Sequence, residues 1–439
     1  MKTIDKIPTG KLGRASKILK TGIKVGGNFI NYYGDKITKG NEQAKANLDK
    51  NNASDIYNGL SELKGSALKM AQMLSMEKNL IPQAYAEQFA QAQYSVPPIS
   101  PPLVKRTFRK YFDKNPEDIF DSFDLNSYNS ASMGQVHRAF LNDEELAVKI
   151  QYPGVAESIT SDLKLVKPFA LKLLNLKAKD SEKFFSEVEG KLQEETDYVL
   201  EVERSIWISN SCKDLPNLTF PTYYKEKSNA KIITMSWLHG VHLSEFIKSE
   251  DFKSQETRNK LGQTLWDFFM FQMHSLKMVH ADPHPGNFII TKDLKLGVID
   301  FGCIKEIPDD FYEPYFKLTQ SDQVNNEEVF TKTLYELEML KSTDTAAEKE
   351  FITKVFHDML SLFAKPFNED KFDFSSQNFF KQIADLGVKY ADDDLLKSLG
   401  GNRGSEHLLY MNRTFFGLYN LLYELQAEIS PYNFKKYLK

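Results

Sequence analysis

The stretch HADPHPGNFIITKDLKLGVIDFG, from His280 to Gly302, places polar residues of catalytic type on both sides of two short apolar runs. Two hypotheses fit its first turn. His280, Asp282 and His284 alternate along the chain and can bind a divalent metal, since imidazole and carboxylate are ligands for several such ions. Alternatively, Asp282 and Asn287 form a phosphotransferase loop, in which the Asp orients the attacking group and the Asn holds Mg²⁺.

The spacing of the polar residues favours the second hypothesis. Asn287 follows Asp282 by five positions and precedes Asp300 by thirteen, and both offsets match the catalytic loop and the Asp-Phe-Gly motif of protein kinases. The runs FII and KLGVI are predicted to be the strands that place these residues around one turn. Amide and carboxylate oxygens are ligands that Mg²⁺ prefers. No fourth ligand or helix-borne His partner supports the metal cluster, so His280 is predicted to hold the loop.

Further upstream, a second set of residues has the character of a phosphate site. Lys149 ends the apolar run of ELAVKIQY, as the ATP-binding Lys of protein kinases does. Glu201 lies on a predicted helix some fifty residues later and can supply the pairing carboxylate. The loop NSASMGQVH stands where a kinase has its Gly-rich phosphate loop, but it has only Gly134. Its small residues allow backbone N–H groups near phosphates less freely than Gly does.

Composition excludes several classes of protein. With 56 basic and 60 acidic residues, the net charge of −4 argues against a general nucleic-acid binder. Cys212 and Cys303 are the two cysteines of the chain, so a disulfide framework is not expected and a reducing compartment is the default. The sequence has neither an apolar run of 18 residues nor the apolar core of a signal peptide. A cytoplasmic location is therefore predicted.

The beginning of the chain differs in charge from the rest. Residues 1–50 hold 11 Lys and Arg against 4 Asp and Glu, and apolar positions alternate with the basic ones in KLGRASKILKTGIKVGGNFINYY. A basic amphipathic segment of this kind can lie on an anionic membrane surface. The alternative is a solvated leader without a fixed structure. Peripheral membrane contact through this segment therefore stays an open prediction.

Hydrophobic periodicity predicts an α+β chain. Helix is predicted from Asn52 to Gln93 and ends at the Pro-rich SVPPISPP, after which LVKRTFRKYFDK is helical again. Strands are predicted at Val136–Leu141 and Leu146–Gln151 around the turn NDEE, and AKIITMSWL is a further buried strand. Residues 156–210 and most of the chain after Asp251 return to helix. This order predicts a leader at 1–50, a helical extension at 51–128, a small β-sheet lobe at 129–240 and a helical lobe at 241–439.

Six segments together resemble the UbiB/AarF atypical kinase-like family over about Leu60 to Cys303: LKMAQMLS, NSASMGQVHRA, AVKIQYPGV, EETDYVLEVE, HADPHPGN and VIDFG. The resemblance implies a bilobal protein-kinase-like fold with an N-terminal helical extension. It also implies an ATP-dependent phosphotransferase or ATPase that uses ATP and Mg²⁺ and supports isoprenoid lipid or quinone metabolism. A lipid or quinone precursor is then an expected ligand.

The resemblance also implies roles for individual residues. Lys149 is similar to the ATP-phosphate Lys, Glu201 to its partner, Asp282 to the catalytic Asp, and Asn287 and Asp300 to the metal ligands. The nucleotide is expected to contact the loop, the strand Lys and the hinge at residues 235–238, a set that comprises Ala131, Ser132, Gly134, Gln135, Lys149, Met235 and Trp237.

A regulatory motif is implied as well. Lys69 and Gln72 resemble the family's Lys-x-Gly-Gln motif, on a helix that in the family folds over the active site, and Glu195 and Asp197 resemble its Glu-x-Asp motif. Lys69 is expected to approach Glu195 or Asp197. The chain departs from the family in two places, because Ala71 replaces the motif Gly and the loop at residues 129–132 keeps only part of the alanine run.

Three other functions remain open. Aminoglycoside-type small-molecule kinases also use His-x-Asp, Asn and Asp, although LKMAQMLS and KIQYPGV are not expected in them. A catalytically silent nucleotide-binding scaffold is disfavoured because all five polar residues that the chemistry needs are present, namely Lys149, Glu201, Asp282, Asn287 and Asp300. A metal hydrolase is the third alternative.

Overall fold

The computed structural model describes residues 11–63, 65–67, 69–70, 84–85, 88, 98–130, 133–173, 182–391 and 403–438. The chain divides into two compact units. The first unit comprises residues 1–202 and 223–237, and the second comprises residues 203–222 and 238–439. The later boundary, after Trp237, lies close to the one predicted after residue 240.

The first unit contains an antiparallel sheet in the order β1-β3-β4-β6, with β2 paired to β3. Its strands are β1 (Ser122–Phe123), β2 (Asn129–Ser130), β3 (Gly134–Leu141), β4 (Glu144–Gln151) and β6 (Ile232–Ser236).

The β3–β4 hairpin holds the lysine site. Its register runs from Gly134 opposite Gln151 to Leu141 opposite Glu144. The predicted four-residue turn NDEE is in fact a two-residue turn, because Asn142 and Asp143 have φ of 51° and 64°, and a tight hairpin turn of type I′ favours such residues. Leu146, Val148 and Ile150 are buried on one face of β4, so Lys149 points to the other face.

The helices of the first unit are α1 (Lys11–Lys39), α2 (Asn41–Leu63), α3 (Pro101–Phe112), α4 (Val155–Leu173), α5 (Glu182–Glu195) and the beginning of α6 (Tyr198–Ser211). The boundary predicted between residues 50 and 51 is wrong, since it falls inside α2. Gly40, with φ of 84°, is the one residue between α1 and α2. The chain turns there, and the basic segment continues directly into the helical extension.

Over its described residues, the second unit consists of helices and three small sheets. Its main sheet has the order β5-β10-β9-β7, and two-stranded ladders join β8 to β11 and β12 to β13. The strands are β5 (Leu218–Thr219), β7 (Gly240–His242), β8 (Met278–His280), β9 (Phe288–Thr291), β10 (Leu296–Val298), β11 (Ile304–Glu306), β12 (Phe372–Asp373) and β13 (Glu428–Ile429). β9 and β10 confirm the strands predicted at FII and KLGVI. The other six were not predicted, because two or three residues cannot display an alternating pattern.

The helices of the second unit are α7 (Leu243–Phe246), α8 (Gln255–Phe271), α9 (Asp309–Lys317), α10 (Ser321–Val324), α11 (Glu327–Glu336), α12 (Ala346–Phe363), α13 (Gln377–Ala391) and α14 (Glu406–Glu424). Aromatic residues dominate the core around α8, where Trp266, Phe268 and Phe269 are fully buried. The Trp266 indole N–H donates to the Pro431 carbonyl at 3.0 Å. None of the helices that the structure describes combines the length and apolarity needed to cross a bilayer.

Candidate active-site residues

A lysine–glutamate pair lies in the first unit. Lys149 Nζ is 2.6 Å from Glu201 Oε1, and the two side chains are 13% and 3% exposed. Lys149 Nζ also lies 5.1 Å from the centre of the Tyr198 ring. Tyr198 was not singled out in the sequence, although it stands three residues before Glu201 and therefore shares a helix face with it. The structure thus brings the strand lysine and the helix carboxylate together.

Asp197 begins the helix that carries Glu201. Its carboxylate accepts a hydrogen bond from the Leu200 N–H at 3.1 Å, and its carbonyl accepts one from the Glu201 N–H at 3.0 Å. A carboxylate at this position satisfies a free N–H of the first helical turn. The predicted continuous helix over 156–210 is therefore interrupted, with α5 ending at Glu195 and α6 starting after Asp197.

The regulatory residues are also in the first unit. Lys69 Nζ lies 3.1 Å from Glu195 Oε2, with the side chains 14% and 12% exposed. The ion pair thus forms with Glu195, the first of the two expected carboxylates. Gln72 and Ala71 lie outside the described residues.

The loop before β3 is described in part. A Cβ atom at Gly134 would lie 2.6 Å from the Ile150 carbonyl oxygen and 2.8 Å from the Tyr198 hydroxyl oxygen. A glycine is therefore required for the close approach of β3 to Tyr198. Ala131 and Ser132, predicted to contact the nucleotide, are outside the part of the chain that the structure describes.

Gln135 belongs to a buried chain of hydrogen bonds. Its Oε1 accepts from the Ile99 N–H at 2.8 Å, and its Nε2 donates to His137 Nε2 at 2.8 Å. His137 Nδ1 in turn donates to the Asp124 carbonyl at 2.8 Å. Burial lowers the pKa of His137 to about 4, so the ring is neutral. The prediction that Gln135 contacts a nucleotide is therefore restricted to its backbone, because its side chain is used inside the unit.

The predicted hinge residues Met235 and Trp237 are positioned by the pairing of β6 with β4. Met235 is opposite Ala147, two residues before Lys149 on β4, so its side chain shares the face of the lysine. The Trp237 N–H donates to the Glu145 carbonyl at 2.8 Å. The Trp237 ring meets the Tyr128 ring edge-on, with centroids 4.7 Å apart.

In the second unit, two ladders position the three remaining polar residues. Residues 281–287 run from β8 to β9, and residues 299–303 run from β10 to β11. Because β8 pairs with β11 and β9 pairs with β10, both segments are fixed at both ends. The Ala281 N–H also donates to the Cys303 carbonyl at 2.9 Å. The unpredicted β8–β11 ladder is therefore what keeps Asp282 beside the segment of Asp300.

Asn287 and Asp300 have defined hydrogen bonds. The side-chain nitrogen Nδ2 of Asn287 donates to the backbone carbonyl of Asp282 at 3.0 Å. The backbone carbonyl of Asn287 accepts from the Ile299 N–H at 3.2 Å. Asp300 Oδ1 accepts from the Gly302 N–H at 2.8 Å. Since Nδ2 of Asn287 donates to the protein, the side-chain oxygen Oδ1 is the atom that can bind a metal. An amide oxygen and a carboxylate are hard ligands, so these residues fit Mg²⁺.

His280 connects the two segments. It is 1% exposed, its Nε2 donates to the Asp300 carbonyl at 2.7 Å, and its Nδ1 accepts from the Asp282 N–H at 3.3 Å. His284 Nδ1 accepts from the Gly286 N–H at 3.0 Å and so fixes its own turn. Across the described residues, no three side chains of the metal-binding types are grouped to hold an ion. Both ring nitrogens of His280 bond the backbone of the two segments, as expected of the loop-holding residue that the sequence predicts.

The antiparallel sheet of the first unit and the helical second unit, each with its set of kinase-type polar residues, define a kinase-like protein. Residues 91–332 match the ABC1 atypical kinase-like domain, which is more than half of the chain. The chain belongs to this family. The resemblance to UbiB/AarF proteins and the predicted fold class are both confirmed.

Relatives of known name agree with this result. The mitochondrial atypical kinase COQ8 of Saccharomyces cerevisiae is 27% identical over 86% of this chain and 75% of its own length. The chloroplastic protein ACTIVITY OF BC1 COMPLEX KINASE 8 of Arabidopsis thaliana is 31% identical over 55% of this chain and 32% of its own length. The structure of Rv3197 with erythromycin, from Mycobacterium tuberculosis, superposes with a TM-score of 0.62 at 25% identity, over 90% of this chain and 97% of that one.

The chain spans only part of the length of several relatives. It spans 32% of the Arabidopsis protein and 55% of the atypical kinase COQ8 of Schizosaccharomyces pombe.

Proposed function

We propose that this chain binds Mg·ATP and transfers the terminal phosphoryl group to water or to an acceptor, as an ATPase or atypical kinase. The observation that carries this proposal is the Lys149–Glu201 ion pair, 2.6 Å long and largely buried. Kinases need this pair because it directs the lysine at the phosphates. A buried lysine on an inner strand is costly unless a charged partner is present, so an accidental pair is a weaker explanation.

Three further polar residues with proposed roles lie in the second unit. Asp282 orients the attacking hydroxyl or water and accepts its proton, while Asn287 and Asp300 hold the metal. Mg²⁺, when bound, neutralises the charge that develops on the phosphates. His280 acts indirectly, since it joins the backbone of Asp282 to that of Asp300. Of the predicted nucleotide contacts, Gly134, Met235 and Trp237 remain proposed in the first unit, along with Ala131, Ser132 and the backbone of Gln135.

The metabolic role is proposed from family membership. Two relatives in yeasts carry the name atypical kinase COQ8, mitochondrial. We propose that this chain likewise supports isoprenoid lipid or quinone metabolism and that a lipid or quinone precursor is its ligand. Lys69 and Glu195, with Gln72 and Asp197, are proposed to regulate the access of nucleotide.

Peripheral membrane contact is proposed from the surface of α1. Leu19, Ile23 and Ile30 are 67%, 67% and 75% exposed. At about 100° per residue they fall within roughly 40° of arc, so they form one apolar stripe. Lys20 and Lys24 are also exposed on this helix. An apolar stripe beside basic residues is typical of helices that lie in a membrane surface.

The alternatives differ in what they bind and release. Thermal shift of the full chain with Mg·ATP and with Zn²⁺, followed by phosphate release, separates them. We expect stabilisation by Mg·ATP, by more than about 2 kcal/mol at a hundredfold excess over Kd, together with phosphate release. Binding with neither phosphate release nor ADP formation, with or without lipid extract, would indicate a silent scaffold. ADP formation that requires an aminoglycoside, with the phosphoryl group transferred to it, would indicate a small-molecule kinase, and stabilisation by Zn²⁺ alone would indicate a hydrolase.

A further inference from the structure

Asp162, on α4, is a fully buried carboxylate in the first unit. Arg14 from α1 binds it through two nitrogens, with Nε at 2.6 Å from Oδ1 and a second donor on Oδ2. Ser158 Oγ donates to Oδ2 at 3.0 Å, and Ser66 Oγ donates to the same oxygen. A buried charge needs this degree of compensation to be tolerated.

The Asp162 cluster, defined as Arg14, Ser66, Ser158 and Asp162, joins separate segments of the chain. Besides binding Asp162, Arg14 donates through Nη1 to the Leu63 carbonyl at 2.9 Å, at the end of α2. Arginine is well suited to serve both acceptors, because its guanidinium has five donors in a fixed plane. The cluster therefore ties α1, the end of α2 and the segment that contains Ser66 to α4.

The segment anchored through Ser66 is the one that carries Lys69. It starts at Gly65, whose φ is 55° and where a Cβ atom would lie 2.5 Å from Val155 Cγ2 on α4. The Lys69 N–H donates to the Gly65 carbonyl at 2.9 Å, which is one helical turn. Ser66 and Lys69 are three residues apart and so share a face of that turn. Fixing Ser66 therefore fixes the direction of Lys69.

We propose that the Arg14–Asp162 pair is a positioning device that holds Lys69 on Glu195, so that α1 sets the state of the regulatory ion pair. Its effect on nucleotide rests on the proposed function, whereas the control of Lys69 does not. α1 is suited to this role because Arg14 lies about 140–180° around the helix from the apolar stripe of Leu19, Ile23 and Ile30. One face of α1 thus holds the cluster while the other is exposed.

The competing explanation is that the cluster only adds stability. The two explanations differ in what happens when the charge is removed without leaving a buried ion. Replacing both members of a buried pair by apolar residues often restores stability. In the double variant Arg14→Met/Asp162→Leu, the anchor on Ser66 is lost although no charge is left buried.

The test is the rate at which an amine-reactive reagent labels Lys69 in the full chain, read by mass spectrometry without nucleotide. We expect Arg14→Met, Ser66→Ala and the double variant to raise this rate at least threefold over wild type. Ser158→Ala is the matched control, since it removes a donor to the same Asp162 oxygen but from α4 itself, and we expect less than a 1.5-fold change. Ser66→Ala keeps the test valid if Arg14→Met does not fold.

Wild-type labelling of Lys69 in the folded double variant and in Ser66→Ala would overturn the proposal, and so would equal acceleration by Ser66→Ala and Ser158→Ala. Mg·ATP affinity of the same variants is measured separately. A shift of at least threefold in Kd, absent in Ser158→Ala, supports the link to nucleotide. Failure of every variant, wild type included, to bind Mg·ATP would contradict the proposed function and leave the labelling result standing.

Discussion

His137 is a neutral imidazole in the core of the first unit, and both of its ring nitrogens are engaged. It accepts from Gln135 and donates to the Asp124 carbonyl, and the bond from Gln135 is lost once the ring is doubly protonated, because Nε2 then carries a proton. Burial lowers its pKa to about 4, below the value of about 6.5 expected in an unfolded chain. His137 therefore contributes to the pH dependence of the stability of the protein.

His137 makes the protein less stable at lower pH. Between about pH 6.5 and 4 the unfolded chain binds more protons at His137 than the folded chain, so the free energy of unfolding falls as pH falls. From pH 7 to pH 5 this group alone removes about 2 kcal/mol. We expect the loss between these pH values, measured by denaturant unfolding, to be smaller by that amount in His137→Gln. His274, whose pKa burial lowers to about 3, contributes equally to both proteins and cancels. Equal losses in the two proteins contradict the assignment.

Single residues also show what the sequence could predict. The strand pattern around Lys149 and the family motif around Glu201 both pointed to a pair, and the structure forms it. The Arg14–Asp162 pair had no such signal, because its members are 148 positions apart and neither belongs to a periodic pattern or motif. Gln135 was assigned to the nucleotide from its place in the loop, since its buried partners cannot be read from local sequence.

At the level of elements, long ones were predictable and short ones were not. The β3–β4 hairpin, β9 and β10 follow patterns of alternation or apolar runs with turn residues between them. β8 and β11 have three residues each, and their pairing depends on the fold that surrounds them. The domain boundary predicted after residue 50 was based on a change in charge. It is wrong because a change in charge does not end a helix, and α2 continues through this position.

The exposed stripe of α1 leads to a prediction about membranes. Replacing Leu19, Ile23 and Ile30 by Ser should weaken binding to anionic liposomes by at least about tenfold, since each buried side chain of this size contributes roughly 1.5–3 kcal/mol. Binding should also fall as salt is raised, because the attraction of basic residues is screened. Co-sedimentation measures both effects.

The control for the liposome experiment is Val388→Ser. Val388 is 68% exposed on α13 in the second unit, so its loss changes the apolar surface without touching α1. Unchanged binding of the triple variant, or an equal loss in Val388→Ser, would show that the stripe is not the membrane contact.

At the scale of the whole molecule, residues of the proposed phosphotransfer function occur in both units. The first holds Lys149 and Glu201 at 2.6 Å, and the second joins the segments of Asp282 and Asp300 through His280. The ABC1 kinase-like domain, which matches residues 91–332, includes all of these residues. Fold and family were predictable because several motifs occur in the right order. The acceptor of the proposed phosphoryl transfer was not predictable, because no motif of the chain identifies it.

Mg²⁺-dependent phosphate release from ATP by wild type and Asp300→Asn tests the proposed metal ligand and the proposed ATP turnover together. This substitution removes the charge of the proposed metal ligand but creates no cavity, so we expect a folded protein whose release falls at least about a hundredfold. Asp293→Asn is the control, because Asp293 is an exposed carboxylate in the β9–β10 turn of the same unit, and its release should equal that of wild type. Wild-type release from folded Asp300→Asn would show that Asp300 does not hold the metal.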